Sequence, residues 1–212
     1  MKRLGAFATL VSLLIVVAAC NNPASDVNKA VTGEAQKATS PQTTAGAQQY
    51  TISPQNSKIE FVGSKVTGSH NGSFEKFNGQ IHYTNGDPTQ SHVTITIDTP
   101  SVQTDDPKLT EHLKTPDFFD IAKFPDATFE STAIKTGGEK GATHTVTGNL
   151  KLHGVTKSIT FPATISVTPE VATVDADFAI NRKDFGINYP GAQDNLIRDE
   201  VVMRLRLRAN KG

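Results

Sequence analysis

The segment Val201–Arg208 constrains the fold of this chain more than any other. Val201, Met203, Leu205 and Leu207 share one side of it; Arg204, Arg206 and Arg208 share the other. Side chains alternate across a strand with a period of two, so this pattern specifies a strand with one dry face and one wet face. The alternation recurs at Val93-Ile95-Ile97, Val146-Gly148-Leu150-Leu152, Ile159-Phe161-Ala163-Ile165-Val167 and Val174-Ala176-Phe178-Ile180. Ser57–Val66 and Ser73–Thr84 also read as strands, with a bulge where Phe74 and Phe77 fall out of phase. Ala127–Lys135 is a less regular eighth strand.

The predicted fold is therefore all-β: eight antiparallel strands joined in sequence and closed into an up-and-down barrel, which leaves no unpaired edge. A two-sheet sandwich would show a similar pattern. Asn85–Pro88, Gly137–Gly141 and Pro169-Glu170 are tight turns. One short helix, about Asp106–Lys114, interrupts the connection between strands three and four. Asp106 suits its N-cap and Pro107 its first position. An eight-stranded barrel is either filled by its own side chains or just wide enough for one small ligand.

Up-and-down order sorts the connections. Val66–Gly72, Thr99–Asp126, His153–Lys157 and Arg182–Arg198 fall at one end, with His70, His112, His153, Arg182, Asp184, Tyr189 and Arg198 among their polar residues. The tight turns fall at the other. Binding residues gather on loops held by a rigid scaffold, which places a mouth at the first end.

The N-terminus carries a separate message. Lys2-Arg3 precede the apolar run Leu4–Ala19, and Val17-Ala18-Ala19-Cys20 ends it as a lipobox. Cys20 is the only cysteine, and a lone thiol is unusual in an oxidising exported compartment. A thioether-linked lipid on Cys20 accounts for both features. Residues 1–19 are expected to be a signal peptide, and residues 20–49, poor in apolar side chains, a flexible tether. A short amphipathic helix within Val27–Lys37 is the alternative. Residues 50–212 form the folded domain. Asn21, rather than aspartate, follows Cys20, which fits the periplasmic face of an outer membrane if the host has two membranes. The chain is charge-balanced without a basic run, which argues against nucleic acid as a partner. His70, His82, His92, His112, His144 and His153 show no zinc-ligand spacing, and no phosphate loop, dinucleotide fingerprint or Gly-x-Ser-x-Gly elbow is present. No metal, cofactor or catalytic set is assigned.

Three blocks carry a family resemblance: Asp117-Phe118-Phe119-Asp120-Ile121-Ala122-Lys123-Phe124-Pro125 with Ala127-Thr128-Phe129, then Val146–Lys157, then Asn181–Ile187. In that order they resemble the YceI-like family of exported, lipocalin-like barrels, over nearly all of Tyr50–Ala209. Asn56 where relatives often carry histidine, the segment Gly63–Gly72, and Phe124 in place of tyrosine point to a lipoprotein-type subgroup. The resemblance implies non-catalytic binding, sequestration or transport of a long isoprenoid or similar amphiphile, such as a polyprenyl lipid or a quinone. The membrane would be reached through the lipid on Cys20. A homodimer is compatible with the sequence.

On this reading the dry faces line a ligand lumen. Phe61, Phe74, Ile95 and Ile97 come from the first three strands. Phe118 and Phe119 come from the following connection, and Phe129, Leu150 and Ile165 from the next three strands. Phe178, Ile180, Met203 and Leu205 complete the set. His70, His153, Arg182, Tyr189 and Arg198 are the expected headgroup contacts at the mouth. Arg182 has a rival reading, an ion pair with Asp184 or Asp120, and Tyr189 is either a lid or a loop anchor. Two other functions remain open: a structural or adhesion domain with a filled core, and a hydrolase working at the His70, His153 and Asp184 end.

Overall fold

The computed structural model describes residues 22–37, 47–193 and 195–212; Cys20 and the signal segment lie outside them. In chain order the strands are β1 (Asn28–Lys29), β2 (Val31–Glu34), β3 (Gln48–Ile52), β4 (Lys58–Lys65), β5 (Gly68–Phe74), β6 (Phe77–Thr84), β7 (Asp87–Asp98) and β8 (Val102–Thr104). After helix α1 (Pro107–Leu113) come β9 (Asp126–Thr136), β10 (His144–Leu152), β11 (Val155–Val167), β12 (Val171–Asn181), β13 (Gly191–Ala192), β14 (Asn195–Leu196) and β15 (Glu200–Lys211).

The sheet closes on itself in the order β3, β6, β7, β9, β10, β11, β12, β15 and back to β3. β3 and β4 form one kinked stave, because both pair with β15: Ile52 lies opposite Ala209 and Val62 opposite Val202. β5 and β6 form the next, pairing with β4 and β3 respectively. Counted as staves, the barrel has the eight antiparallel strands that the alternation specified. Its seam is β12–β15, paired without interruption from Val171↔Asn210 to Asn181↔Glu200. The helix sits in the connection between the third and fourth staves, and the Asp106 carboxylate accepts from the Lys108 and Leu109 amides.

Kinks leave backbone groups without ladder partners, and buried serines supply them. The Ser57 hydroxyl accepts from the Arg208 amide at 2.9 Å and donates to the Arg208 carbonyl, spanning the break between β3 and β4. Ser101 Oγ accepts from the Lys76 amide at 2.9 Å where β5 gives way to β6. Ser131 Oγ accepts from the Val93 amide at 2.8 Å beside the bulge in β9. A buried backbone amide left unpaired costs about as much as a lost hydrogen bond, so a small hydroxyl at each defect keeps the ladder continuous.

Four sequence expectations need correction. The loop Val66–Gly72 is only the turn Val66-Thr67, because Gly68–Phe74 is a strand; its Gly, Ser, His and Asn residues lack the apolar alternation that would have marked it. Phe74 and Phe77 flank a full break at Glu75-Lys76, which lets both rings point inward. The first of the eight staves begins at Gln48, ahead of the expected domain start. The tether is partly built into the wall: β1 pairs in parallel with β12, β2 pairs antiparallel with β11, and Ala24 is buried against Val62, Ala179 and Val202. The alternative helix within Val27–Lys37 is absent for the same reason.

Two inward glycines are explained by the rings beside them. Gly72 lies opposite Phe61, and a Cβ on it would stand 2.2 Å from the Phe61 ring. A Cβ on Gly148 would stand 2.3 Å from Phe129 Cζ and 2.6 Å from the Glu130 carbonyl oxygen. Gly148→Ala is therefore expected to cost about 1–3 kcal/mol through overpacking, read as a lower urea midpoint. His92 gives a pH signature. Burial lowers its pKa from the ordinary imidazole value, against the pull of Glu130, whose carboxylate oxygen lies 3.3 Å away. The unfolded chain then takes up a proton near pH 6.5 that the folded chain takes up only at lower pH. Stability is expected to fall as pH drops through about 6.5, and His92→Gln to flatten that fall in urea titrations between about pH 7.5 and 5.

Candidate ligand-binding lumen

Among the described residues from β3 onward each connection joins neighbouring staves or continues one, so the mouth is formed by the Val66-Thr67 turn, residues 99–125, the His153-Gly154 turn and residues 182–199. Beneath it, three cavities follow one another down the barrel. The upper one, about 150 Å³, is lined by Phe61, Phe74, Ile97, Phe118, Phe119, Leu150, Ile180 and Met203. The middle one, about 90 Å³, is lined by Ile95, Ile97, Phe129, Leu150, Ile165, Phe178, Met203 and Leu205, together with Ile159 and Phe161. The lowest, about 20 Å³, reaches Tyr83 and Pro88 at the closed end. Ile97, Leu150 and Met203 border both larger spaces and form the waist between them. Each of the residues expected in the lumen lines one of these spaces. Alternation puts them there: they occupy the inward positions of the staves.

The middle is narrowed by aromatic rings. Phe161 and Phe178 stack with centroids 4.1 Å apart and planes 12° from parallel, and Phe129 tilts against Phe161 at 5.9 Å. Near the mouth, Phe61, Phe74 and Phe119 form a tilted row with successive centroids 5.7 Å apart. An apolar cavity near 150 Å³ stays dry and admits a benzene-sized group. The upper space therefore offers hydrocarbon surroundings without moving any side chain.

The charged and imidazole groups of the lining are at the rim, and Ser91 and Tyr83 border the lowest cavity. Ser64, Lys65, His70 and Arg182 border the upper cavity. His70 Nδ1 lies 2.8 Å from Asp105, whose other carboxylate oxygen accepts from the Asn71 amide at 2.8 Å. That amide, with His70, holds the Asp105 carboxyl below the usual carboxylate range. Arg182 is only 4% exposed. Its Nε donates to the Arg198 carbonyl at 3.1 Å, Nη1 to the Ile187 carbonyl at 2.7 Å, and Nη2 to the Ile197 carbonyl and to Asp199. Burial lowers its pKa, and Asp199 opposes that shift.

The five expected mouth residues thus separate. His70 is at the rim. Arg182 is there too, but its acid partner is Asp199 rather than Asp184 or Asp120, and most of its donors are spent on backbone carbonyls of the 182–199 loop. Its place is that of a loop staple. His153 stands outside the lumen, with Nδ1 3.2 Å from the Phe185 carbonyl oxygen and its ring against Phe124 at 4.9 Å. Tyr189 packs on His112 and Phe118, with centroids 5.0 and 5.3 Å away, and anchors the loop from behind Phe118. The Arg198 amide donates to the Ser64 carbonyl at 2.9 Å, fixing the loop to β4.

Several lining residues escaped the sequence reading. Leu109 and Leu113 face the upper cavity from α1, and their i,i+4 spacing was the available signal. Ile187 and Ile197 come from a loop without period, which carried none. Ser64 and Lys65 end β4, inside the strand expected over Ser57–Val66, where the pattern marks neither as a rim residue.

The sequence profile of the YceI-like domain matches residues 50–209. The UPF0312 protein of Pseudomonas putida (strain W619) is 39% identical over 127 residues, covering 57% of this chain and 65% of that protein. The chain thus spans just under two thirds of that relative's length. A UPF0312 protein of Pseudomonas fluorescens (strain SBW25) is 36% identical over 138 residues, 62% of this chain and 71% of its own. Among solved structures, Burkholderia cenocepacia BcnA superposes with a TM-score of 0.66 at 27% identity, covering 74% of this chain and 99% of BcnA. A polyisoprenoid binding domain from Saccharophagus degradans gives 0.61 at 19% identity, covering 78% and 99%, a likeness of fold alone.

Arg182→Ala is expected to leave three loop carbonyls without their donor. It should lower stability by about 1–3 kcal/mol, whereas Lys183→Ala on the exposed side should stay within about 0.5 kcal/mol. Urea denaturation of the two variants checks this.

Proposed function

This chain belongs to the YceI-like family, and on that footing we propose that it binds a long amphiphilic lipid, a polyprenyl lipid or an isoprenoid quinone, in the barrel lumen. The binding is noncovalent and the protein is a carrier or store rather than an enzyme. One observation carries this reading: the inside of the barrel is a run of mainly apolar cavities, with the charged and imidazole groups of their lining, Lys65, His70 and Arg182, all at the mouth end. The Saccharophagus neighbour, described as polyisoprenoid-binding, supports the ligand class.

The energetics suit a tail. Each buried methylene contributes about 0.8 kcal/mol, so a long prenyl chain would nominally exceed the roughly 20 kcal/mol ceiling on noncovalent affinity. Much of that is offset here, because the stacked Phe161 and Phe178 rings must give way before a tail passes the middle of the barrel. Met203, unbranched and adaptable, stands at the waist where the chain would first press. Lys65 and His70 are the rim groups placed to meet a polar headgroup. Arg182 is not, because its donors are committed.

The same proposal includes a lipid on Cys20 and residence in the cell envelope. Ala24, four positions after Cys20, is buried on the barrel wall. At most about 14 Å of extended chain would then separate the anchor from the barrel. The domain would lie close against its membrane instead of ranging on a long leash.

The aromatic stack favours a second reading, a structural domain with a filled core. Native mass spectrometry after gentle purification separates the two. An added mass extractable into organic solvent, or uptake of ubiquinone-10 from vesicles, supports the carrier. A clean apo mass with no uptake overturns it. Leu150→Trp, which fills the waist, is expected to weaken ubiquinone-10 binding about tenfold or more, equivalent to 1.4 kcal/mol per decade.

A further inference from the structure

At one place in the barrel wall a third segment stands between two neighbouring staves. β11 and β12 share ladder registers only from Thr164↔Asp175 to Val167↔Ala172, near the closed end. Towards the mouth they part, and the N-terminal segment fills the gap. Val31–Glu34 pairs with Thr160–Lys157 of β11, Asn28 and Lys29 pair with Phe178 and Ala179 of β12, and the Ala30 amide donates to the Ala179 carbonyl at 2.8 Å. This inserted strand lies outside the span that matches the YceI-like domain.

The insert is held more lightly than any other stave. It makes four register pairs on one side and two on the other, against eleven along the β12–β15 seam. Its side chains bury little: β2 is largely exposed, Val31 is 71% exposed, and Ala30 offers only a methyl to the core. Its ion pairs, Lys29 with Glu200 and Lys157 with Glu34, are solvent-facing, a class that contributes little. Directly inside the gap stands the Phe161–Phe178 stack, one ring from each of the parted staves. The gap is therefore closed by a loosely held strand outside and two rings inside.

We propose that residues 28–34 are a releasable side wall of the lumen, and that a hydrocarbon tail passes between β11 and β12 when this strand lifts away. With the insert gone, two strand spacings, about 9.5 Å, separate the parted backbones, room for one extended hydrocarbon chain. A tail entering sideways need not thread its whole length past the waist. The strand ends at the mouth beside Lys157, so a headgroup can stay at the rim while the tail slips through the wall. The proposal rests on the lipid-carrier reading above.

The test locks the strand. Val31 and Thr160 are register partners. A full chain carrying Val31→Cys and Thr160→Cys, with Cys20→Ser so that no other thiol competes, can be oxidised and reduced in place. Uptake of ubiquinone-10 from phosphatidylcholine vesicles is followed by chromatography of the quinone on repurified protein. The expected result is uptake at least about tenfold slower when oxidised, restored by dithiothreitol. Equal rates in the two states would overturn the side wall and leave end-on loading through the mouth. No uptake in either state would instead remove the lipid-carrier reading, and the side wall with it. Hydrogen exchange gives a ligand-free check. Amides of Ala30–Glu34 should exchange at least about tenfold faster than those pairing β9 with β10, and equal protection would sink the idea.

Discussion

A barrel that keeps cavities inside cannot rely on close packing of its centre, so its backbone ladder has to be complete. Hydrogen bonds between staves hold the wall in shape where side chains across the lumen do not meet. That explains the attention given to each defect. Ser57, Ser101 and Ser131 are buried hydroxyls standing where a kink, a break and a bulge would leave amides unsatisfied. Serine suits the task because it is small and its hydroxyl both donates and accepts. The kinks in turn let the first two staves follow the curvature of the closed wall.

The mouth depends on the same economy of polar groups. The long 182–199 loop has little regular structure to satisfy its carbonyls, and Arg182 gathers three of them around one buried guanidinium. Arg198 then ties the loop to β4 through its backbone, and Tyr189 wedges its other end against Phe118 and His112. Phe118 in turn lines the upper cavity. The rim is thus positioned by contacts that face away from the lumen, which leaves the lumen itself apolar.

Legibility in the sequence followed burial. Strands with one face in the dry interior, such as β10, β12 and β15, declared themselves through alternation. β5 did not, because Gly68–Ser73 pairs through its backbone and contributes almost no apolar side chain. β1 and β2 were invisible for a related reason: a strand of two to four residues with its side chains in solvent has the composition of a linker. The lumen residues were readable because inward position is a property of the pattern. The mouth residues were not, because His153, Arg182 and Tyr189 are placed by loop contacts that no period records.

What the sequence determined by itself is the number of staves, their order and which side of each is dry. These follow from local alternation and, for most neighbouring staves, from short turns. Tertiary structure alone decided that the dry sides enclose three spaces rather than a solid plug, that Arg182 turns to backbone carbonyls and Asp199, and that the N-terminal segment becomes part of the wall. Alternation states which face avoids water. It does not state how far the opposite wall stands, nor which distant strand edge is left without a partner. Those depend on the closed circumference of the sheet, which exists only once all the staves have met.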